Sequence, residues 1–327
     1  MIKKQEQIWN ANEYSYDASY GFIPSIMTYI HSDKKLRPAM LIVPGGGYRK
    51  VASGEAELVA EEFYNRGFNT FVCTYTTNFF QDHPLHLQPL LDLSRAVRYI
   101  RTQANRFSIN PNQLVICGFS AGGHLVASLG GKYREILDSG EFAFVNNRPN
   151  FIVLSYPVIT TGKYRHKDSF VSLLGDEATQ EDFERLSIEL QITEDYPPTF
   201  IWHTMEDSLV PAENSILLSE SLRKKNVPHE LHLFSSGDHG LSLANQQWAR
   251  GDYGDIYTNK QLIKTIDYYK SIGDKKKLQT LLEQNLSVEE RIDRNKKLNV
   301  QPNRQVMIWP ELVQNWLHKF LEKDNED

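Results

Sequence analysis

Short apolar runs alternate with amphipathic stretches along most of the chain. Six runs have the length and composition of β-strands, and the first four are nearly continuous in apolar residues: 39–44, 69–75, 113–119, 151–157, 198–204 and 229–234. Continuous apolar runs are typical of strands that are buried on both faces of a parallel sheet. An earlier run, 25–31, predicts an additional antiparallel strand at the sheet edge.

The stretches between these runs place apolar residues at helical spacing. Helices are predicted over 53–67, over 90–105, from Val210 to the block at Pro228, and over 310–323. Gly67 suits the end of the first helix, because glycine readily adopts the left-handed conformation that is common there. Alternating strands and helices predict an α/β fold, with a mostly parallel central sheet covered by helices on both faces.

One polar, charge-rich segment, 246–304, interrupts this pattern and contains no convincing strand. Within it, Ser287 and Glu290 have the spacing of a capping box, which marks the start of a helix. Tyrosines and isoleucines between 253 and 269 provide apolar surface for docking. We therefore predict a mostly helical insertion in a single domain that spans 1–327, with a disordered linker as the alternative.

Length and charge exclude some classes of function. The chain has 327 residues, enough for a large core, and a formal net charge of -5. This balance argues against nucleic-acid binding through a basic surface. No apolar run approaches the roughly 20 residues that cross a bilayer, and the segment MIKKQEQIWN lacks the apolar core of a signal peptide. We expect a cytoplasmic protein that binds neither nucleic acid nor membrane.

The sequence contains no recognisable metal or cofactor motif. The two cysteines, Cys73 and Cys117, lie in apolar runs and are predicted to be free thiols in the core. Nothing matches H-E-x-x-H or a paired-cysteine pattern, so no metal is expected. No G-x-G-x-x-G follows the first strand, which argues against a nicotinamide cofactor. We therefore expect a protein that works without a cofactor.

The strongest local motif is GFSAG (118–122), which stands between a predicted strand and a predicted helix. A serine hydroxyl is a weak nucleophile unless it is exposed beside a base. A sharp strand-to-helix turn achieves this exposure, and the flanking glycines let the strand and the helix approach closely. Ser120 is therefore the candidate nucleophile, with a purely structural glycine-rich turn as the alternative.

A second glycine-rich motif, PGGGY (44–48), directly follows the run 39–44. Glycines leave backbone N–H groups unobstructed, and a tetrahedral intermediate needs such donors for its oxyanion. Gly46 or Gly47, together with Ala121, would supply them. The alternatives are a flexible surface loop and a phosphate-binding turn, although the G-x-x-x-x-G-K-[ST] pattern of the latter is absent.

A base and an acid are expected later in the chain, in the order Ser, Asp, His. His239 follows the run 229–234 in a glycine-rich loop, and Asp207 follows the run 198–204. His203 lies on a predicted strand, and His124 is too near the serine in sequence to act as its base. His83 and His86 precede the serine, which is the wrong order for this fold. The competing acids are Glu206, Asp238 and Asp195. His239 and Asp207 are therefore the candidate base and acid.

These motifs together resemble the serine esterases of the α/β-hydrolase superfamily, particularly the acetyl-esterase and xylan-esterase-like branch. The resemblance covers most of residues 36–245, including LIVPGGGYRK, LVICGFSAGGHLVASLG, TFIWHTMEDSLVP and HELHLFSSGDHGLSLA. It implies the same roles for Ser120, Asp207 and His239, and an oxyanion site at Gly46, Gly47 and Ala121. Members of this branch are thought to remove acetyl or other small acyl groups from sugars or simple esters.

Two features depart from that branch. The glycine loop begins with Pro44 where many related esterases have histidine, which leaves the backbone donors intact. The segment 246–304 leaves the loop that carries His239. Covering the mouth of the site and forming a homo-oligomer are both open roles for this segment.

The predicted function is hydrolysis of short-acyl esters. The expected partner is a small-molecule ester, such as an acetylated xylo-oligosaccharide, and Tyr48 and Tyr156 are expected to contact it. A peptidase of the prolyl-oligopeptidase kind uses the same residue order but normally carries a propeller or gating domain. A non-catalytic binding protein that kept the fold is the alternative from a different class.

Overall fold

An eight-stranded, mostly parallel sheet lies at the centre of the fold. The computed structural model describes residues 1–254 and 257–321. The strands are Ile2–Gln7 (β1), Ser25–Ile30 (β2), Arg37–Val43 (β3), Asn69–Thr74 (β4), Ile109–Phe119 (β5), Phe151–Ser155 (β6), Thr199–Thr204 (β7) and His229–Phe234 (β8). Across the sheet they lie in the order β1-β2-β4-β3-β5-β6-β7-β8. Strands β3 to β8 run parallel to one another, as the apolar runs predict.

The two N-terminal strands differ from the prediction. Strand β2 is antiparallel, but it pairs with β4 on one side and β1 on the other, so it does not form the edge. The edge strand on this side of the sheet is β1, whose sequence IKKQEQ is polar and whose only buried residue is Glu6. An edge strand pairs on one side only, so its backbone can join the sheet without an apolar pattern.

Twelve α-helices accompany the sheet in the described part of the chain. They are Glu57–Asn65 (α1), Gln88–Thr102 (α2), Ala104–Phe107 (α3), Ser120–Lys132 (α4), Lys167–Leu174 (α5), Gln180–Glu184 (α6), Glu213–Lys224 (α7), Gln246–Arg250 (α8), Lys260–Ser271 (α9), Lys275–Leu282 (α10), Val288–Lys297 (α11) and Trp309–Leu321 (α12). The last two residues of the predicted final helix, 322 and 323, lie outside the described residues. Within those residues, no helix combines the length and apolarity needed to span a membrane.

The core has two parts, one on each face of the sheet. Successive residues of a strand point to opposite faces. Leu41 of β3 therefore packs with Leu93 of α2 and Leu125 of α4, whereas the adjacent Ile42 packs on the other side with Trp309 of α12. Helices cover both faces, as predicted.

Cys73 and Cys117 are both buried and free, which confirms the prediction. They belong to the cores on opposite faces of the sheet. Burial raises the pKa of both thiols, because an apolar interior disfavours the thiolate. The two side chains therefore contribute apolar packing.

The described residues of 246–304 form α8 to α11 and contain no strand. This segment, which we call the insertion, docks on the loop after β4. Leu262 and Ile266 of α9 share a small apolar core with Phe79. The backbone N–H of Thr77 also donates to Gln261 Oε1 at 2.8 Å. The insertion therefore contributes buried contacts of its own to this edge of the fold.

Candidate active site

Ser120 lies at the turn between β5 and α4, where the GFSAG motif predicts it. Its φ of 51° is in the left-handed region, which is uncommon for a residue with a side chain. Such a conformation costs on the order of 1–3 kcal/mol and persists only where the surrounding structure imposes it. The turn places the Ser120 hydroxyl at the carboxyl edge of the sheet.

Gly122 allows α4 to lie directly against the end of β3. A Cβ atom at Gly122 would be 2.2 Å from the carbonyl oxygen of Val43 and 2.5 Å from that of Pro44. A Cβ at Gly118 would likewise be 2.5 Å from the carbonyl oxygen of Gly122. These distances are too short for any side chain, so the tight turn requires both glycines.

A chain of hydrogen bonds joins Ser120, His239 and Asp207. His239 Nδ1 lies 2.7 Å from Asp207 Oδ2, and His239 Nε2 lies 2.8 Å from Ser120 Oγ. Because a carboxylate only accepts, Nδ1 carries the ring proton and donates to Asp207. The other ring nitrogen then accepts from the Ser120 hydroxyl. The three residues, far apart in sequence, are in the geometry that a serine hydrolase requires.

Asp207 is a buried carboxylate with four hydrogen-bond donors. Its Oδ1 accepts from the backbone N–H groups of Leu209 and Val210, at 3.0 and 2.8 Å. Its Oδ2 accepts from His239 and, at 3.2 Å, from His203. Burial by itself would raise the pKa of Asp207, but the hydrogen bonds from the two histidines and from Val210 outweigh it and hold the pKa well below its usual range. Asp207 is therefore charged while it orients His239.

His203 is a buried histidine that contacts Asp207. Its Nε2 lies 2.9 Å from the carbonyl oxygen of Val210 and also faces Asp207, so this nitrogen carries the proton. Its Nδ1 then accepts from the hydroxyl of Ser215 at 2.7 Å. His203 thus bonds locally, as its position on a strand predicts, but the sequence does not indicate that one of its partners is the candidate acid.

The competing residues have other partners. Asp238 accepts from Ser208 and from the backbone N–H of His239, and Glu206 accepts from Gly237. Asp195 bonds Tyr133 and Thr193. None of these carboxylates bonds the His239 ring.

The PGGGY loop lies directly against the Ser120 turn. A Cβ on Gly45 would be 2.8 Å from the Cβ of Ser120. Gly46 and Gly47 have φ values of 115° and 64°, which are accessible to glycine without strain. In the described part of the chain, no backbone acceptor is bonded by the N–H groups of Gly46 and Gly47. Ala121 lies in the first turn of α4, where backbone N–H groups have no partner within the helix. Unbonded N–H groups are what the predicted oxyanion site requires.

Tyr48 and Tyr156 differ from the prediction that they contact substrate. Each is only 1% exposed, and each hydroxyl is bonded within the protein. Tyr48 donates to Nδ1 of His124 at 2.8 Å. The Tyr156 ring packs edge-on against His239, with ring centroids 4.9 Å apart. Both side chains therefore lie in the core next to the site, where burial of their aromatic rings is favourable.

Glu55 is a buried carboxyl group beside the site that sequence reasoning missed. Its Oε2 accepts from the backbone N–H of Gly45 at 2.7 Å, and its Oε1 accepts from the Tyr156 hydroxyl at 2.8 Å. That hydroxyl in turn accepts from the backbone N–H of Ser242, three residues after His239. Burial raises the pKa of Glu55, although its two hydrogen bonds oppose this effect. Glu55 therefore links the glycine loop to the His239 loop. These contacts join distant parts of the chain, so no local sequence motif indicates them.

No site for a metal ion stands out. Among residues 1–254 and 257–321, no three His, Cys, Asp or Glu side chains form a cluster that could hold one.

The candidate residues all follow the carboxyl ends of strands. The PGGGY loop follows β3, Ser120 follows β5, Asp207 follows β7 and His239 follows β8. This placement on an eight-stranded sheet is that of the α/β hydrolases. The BD-FAE family model matches residues 27–222, and the chain belongs to this family.

Known proteins with similar sequences and structures support this assignment. The chain is 48% identical over 261 residues to endo-1,4-beta-xylanase B of Butyrivibrio fibrisolvens and 31% identical over 216 residues to an acetylxylan esterase of Xylanibacter ruminicola. These matches cover 80% and 63% of this chain, which spans only 41% of each of these relatives.

A solved structure is similar over most of its length. The acetyl ester-xyloside bifunctional hydrolase of Caldicellulosiruptor lactoaceticus is 35% identical, with a TM-score of 0.68. The match covers 83% of this chain and 96% of that one. The resemblance to esterase-type α/β hydrolases is confirmed.

Proposed function

We propose that the chain is a serine carboxylesterase that removes short acyl groups, above all acetyl, from carbohydrate esters such as acetylated xylo-oligosaccharides. The observation that carries this proposal is the chain of hydrogen bonds from Asp207 through His239 to Ser120. The acetylxylan esterase of X. ruminicola and the acetyl ester-xyloside hydrolase of C. lactoaceticus support the choice of substrate.

In the first half of the reaction, Ser120 attacks the ester carbonyl carbon. His239 Nε2 accepts the hydroxyl proton as the bond forms, and Asp207 stabilises the resulting imidazolium through Nδ1. The carbonyl oxygen becomes negatively charged and is bound by the free backbone N–H groups of Ala121 and of Gly46 or Gly47. The alcohol then leaves with the proton from His239, and the acyl group stays on Ser120.

The second half repeats these steps with water. His239 takes a proton from the water molecule, which attacks the acyl carbon in place of the alcohol. The same oxyanion donors act again, and the acid leaves as Ser120 recovers its proton. Asp207 keeps its charge throughout, because its hydrogen bonds hold its pKa well below the usual range.

The test is hydrolysis of p-nitrophenyl esters from acetate to octanoate, followed by acetylated xylo-oligosaccharides. We expect the highest kcat/KM on acetate and a loss of about 10⁴-fold or more in Ser120→Ala. Ser128→Ala is the matched control, because it removes another buried hydroxyl from the same helix. Equal rates in the wild type and Ser120→Ala would refute the proposal.

The peptidase alternative predicts a different result. Hydrolysis of peptide p-nitroanilides faster than of esters would favour it, and no turnover of either class would favour a binding protein. Cytoplasmic location and self-association stay predictions from the sequence.

A further inference from the structure

A cavity of about 240 Å³ opens beside the proposed site, between the loop 50–55 and the insertion. Two of its wall residues adjoin the reacting groups. Gly240 directly follows His239, and the Glu55 side chain bonds Gly45, whose backbone lies against Ser120. This adjacency is the basis for assigning a substituent of the bound ester to the cavity while the acyl group is at Ser120.

Three cations line the cavity: Lys50, Arg291 and Arg294. In the described ranges, no carboxylate lies within 4.0 Å of any of them. Lys50 Nζ donates to the neutral amide of Gln284 at 3.1 Å. Burial, followed by the neighbouring charges of Arg294 and Arg49, lowers the pKa of Lys50. Among residues 1–254 and 257–321, this cluster of positive charge has no ion pair.

Arg291 is the buried member of the cluster, at 4% exposed. Its Nη1 donates to the Ser53 hydroxyl at 2.8 Å and its Nη2 to the Gly254 carbonyl at 3.3 Å. Both acceptors are neutral, and its buried Nε has no hydrogen-bond partner in the structure described. A buried guanidinium normally meets a carboxylate or phosphate, because desolvating an unpaired charge is costly.

The acidic groups that the structure describes near the cluster do not form ion pairs with it. The Glu55 carboxyl is committed to Gly45 and Tyr156. Asp252 and Glu289 attract Arg291 electrostatically, but both are exposed and beyond ion-pair distance. The Arg291 guanidinium lies over the Tyr253 ring, 5.2 Å from its centroid, so this aromatic contact also leaves its charge without an acid. Trp248 adds a flat aromatic surface to the wall. Among the described residues, the cavity therefore combines positive charge that has no ion pair with aromatic surface.

We propose that this cavity is a subsite for a carboxylate group on the ester substrate. The inference rests on the proposed function and deepens it, because it selects acidic esters over neutral ones. The volume is below the roughly 300–1,000 Å³ of sites for drug-sized ligands, so the cavity suits one charged substituent. The carboxylate can belong to the alcohol, as in a sugar acid, or to the acyl group, as in a dicarboxylic acid monoester.

The test compares matched esters that differ in one charge. For the alcohol, the pair is the monoacetylated methyl glycosides of glucuronic acid and of glucose. For the acyl group, the pair is p-nitrophenyl succinate and p-nitrophenyl pentanoate. We expect kcat/KM to favour the charged member of one pair by about tenfold, mainly through KM, and added salt to reduce this preference. The pair that shows the preference identifies the source of the carboxylate.

Arg294→Gln is the diagnostic variant, because this residue is exposed and its loss should not unfold α11. The preference for the charged ester should fall to about one in Arg294→Gln and in Lys50→Gln. Lys297→Gln removes the same charge from the same helix outside the cavity, so it should keep the wild-type preference. A wild-type ratio near one for both pairs, or an equal change in Lys297→Gln, would overturn the proposal.

A binding measurement separates this inference from the proposed function. Titration calorimetry of Ser120→Ala with the two acetylated glycosides and with succinate and pentanoate monoamides requires no turnover. We expect the charged ligand to bind about tenfold more tightly, and this difference to be lost in the Ser120→Ala, Arg294→Gln double variant. That result supports the subsite even if the wild type hydrolyses no ester. Equal affinities within both pairs refute the subsite even if the wild type is an active esterase.

Discussion

Among single residues, the proposed catalysis depends most on one carboxylate with fixed hydrogen-bond donors. Asp207 holds the proton of His239 on Nδ1 through the 2.7 Å hydrogen bond. In Asp207→Asn, the side-chain amide can donate to Nδ1 and favour the wrong tautomer, so we expect kcat on acetate esters to fall about 10³–10⁴-fold. Asp238→Asn is the matched control, because Asp238 bonds Ser208 and the backbone of His239 but not the His239 ring, and its loss should cost less than tenfold. Comparable losses in both variants would contradict the assignment.

A second residue-scale prediction concerns acid stability. His124 is buried, its Nε2 faces the Leu186 carbonyl oxygen, and its Nδ1 accepts from Tyr48. Burial lowers the pKa of His124 from 6.5 to about 4. The unfolded chain therefore takes up a proton first as the pH falls below 6.5, and the free energy of unfolding decreases until the pH approaches 4.

The pH-dependent loss of unfolding free energy that His124 causes is absent when residue 124 cannot titrate. Urea unfolding across pH 4 to 7 should show that the wild type loses up to about 3 kcal/mol relative to His124→Gln as the pH falls. A difference between the two proteins that is constant over this range would show that His124 does not titrate as described.

At the element scale, the position of α4 depends on the contact between Gly122 and the end of β3. A Cβ in Gly122→Ala would lie 2.2 Å from the Val43 carbonyl oxygen, so the helix must move away. We expect Gly122→Ala to lower the free energy of unfolding by at least about 3 kcal/mol and to reduce activity by displacing Ser120. Gly131→Ala is the control in the same helix, because its nearest contact is 3.4 Å. Equal thermal unfolding temperatures for the two variants would contradict this packing.

The same scale shows what the sequence can predict. Strands β3, β4, β6 and β7 lie close to the predicted runs, because burial on both faces demands continuous apolar residues. Strand β5 begins earlier than its run, at Ile109, and β8 lies at a sheet edge where none of its residues is fully buried. Strand β1 is not buried on both faces and needs no apolar run. It is held by its pairing with β2, which a local sequence pattern does not reveal. Ser120 is recognisable because the glycine requirement is local. The role of Glu55 and the burial of Tyr156 are not recognisable in the sequence, because they depend on contacts between residues about 100 positions apart.

At the scale of the whole molecule, the question is whether the insertion unfolds with the sheet. Its buried contacts with Phe79 and Thr77 and the bond from Arg291 to Ser53 tie it to loops beside the site. We therefore predict one cooperative thermal transition for the chain, with equal calorimetric and van't Hoff enthalpies. Two separate transitions, or proteolytic removal of 246–304 without loss of the remaining fold, would show that the insertion is an independent unit.

The proposed mechanism requires Ser120 to be the nucleophile and His239 to activate it. Intact-mass and peptide mass spectrometry after treatment with a fluorophosphonate would test this assignment. We predict one covalent adduct, located on Ser120, absent in Ser120→Ala and formed much more slowly in His239→Ala. An adduct on another serine, or an active esterase that forms no adduct, would contradict the account.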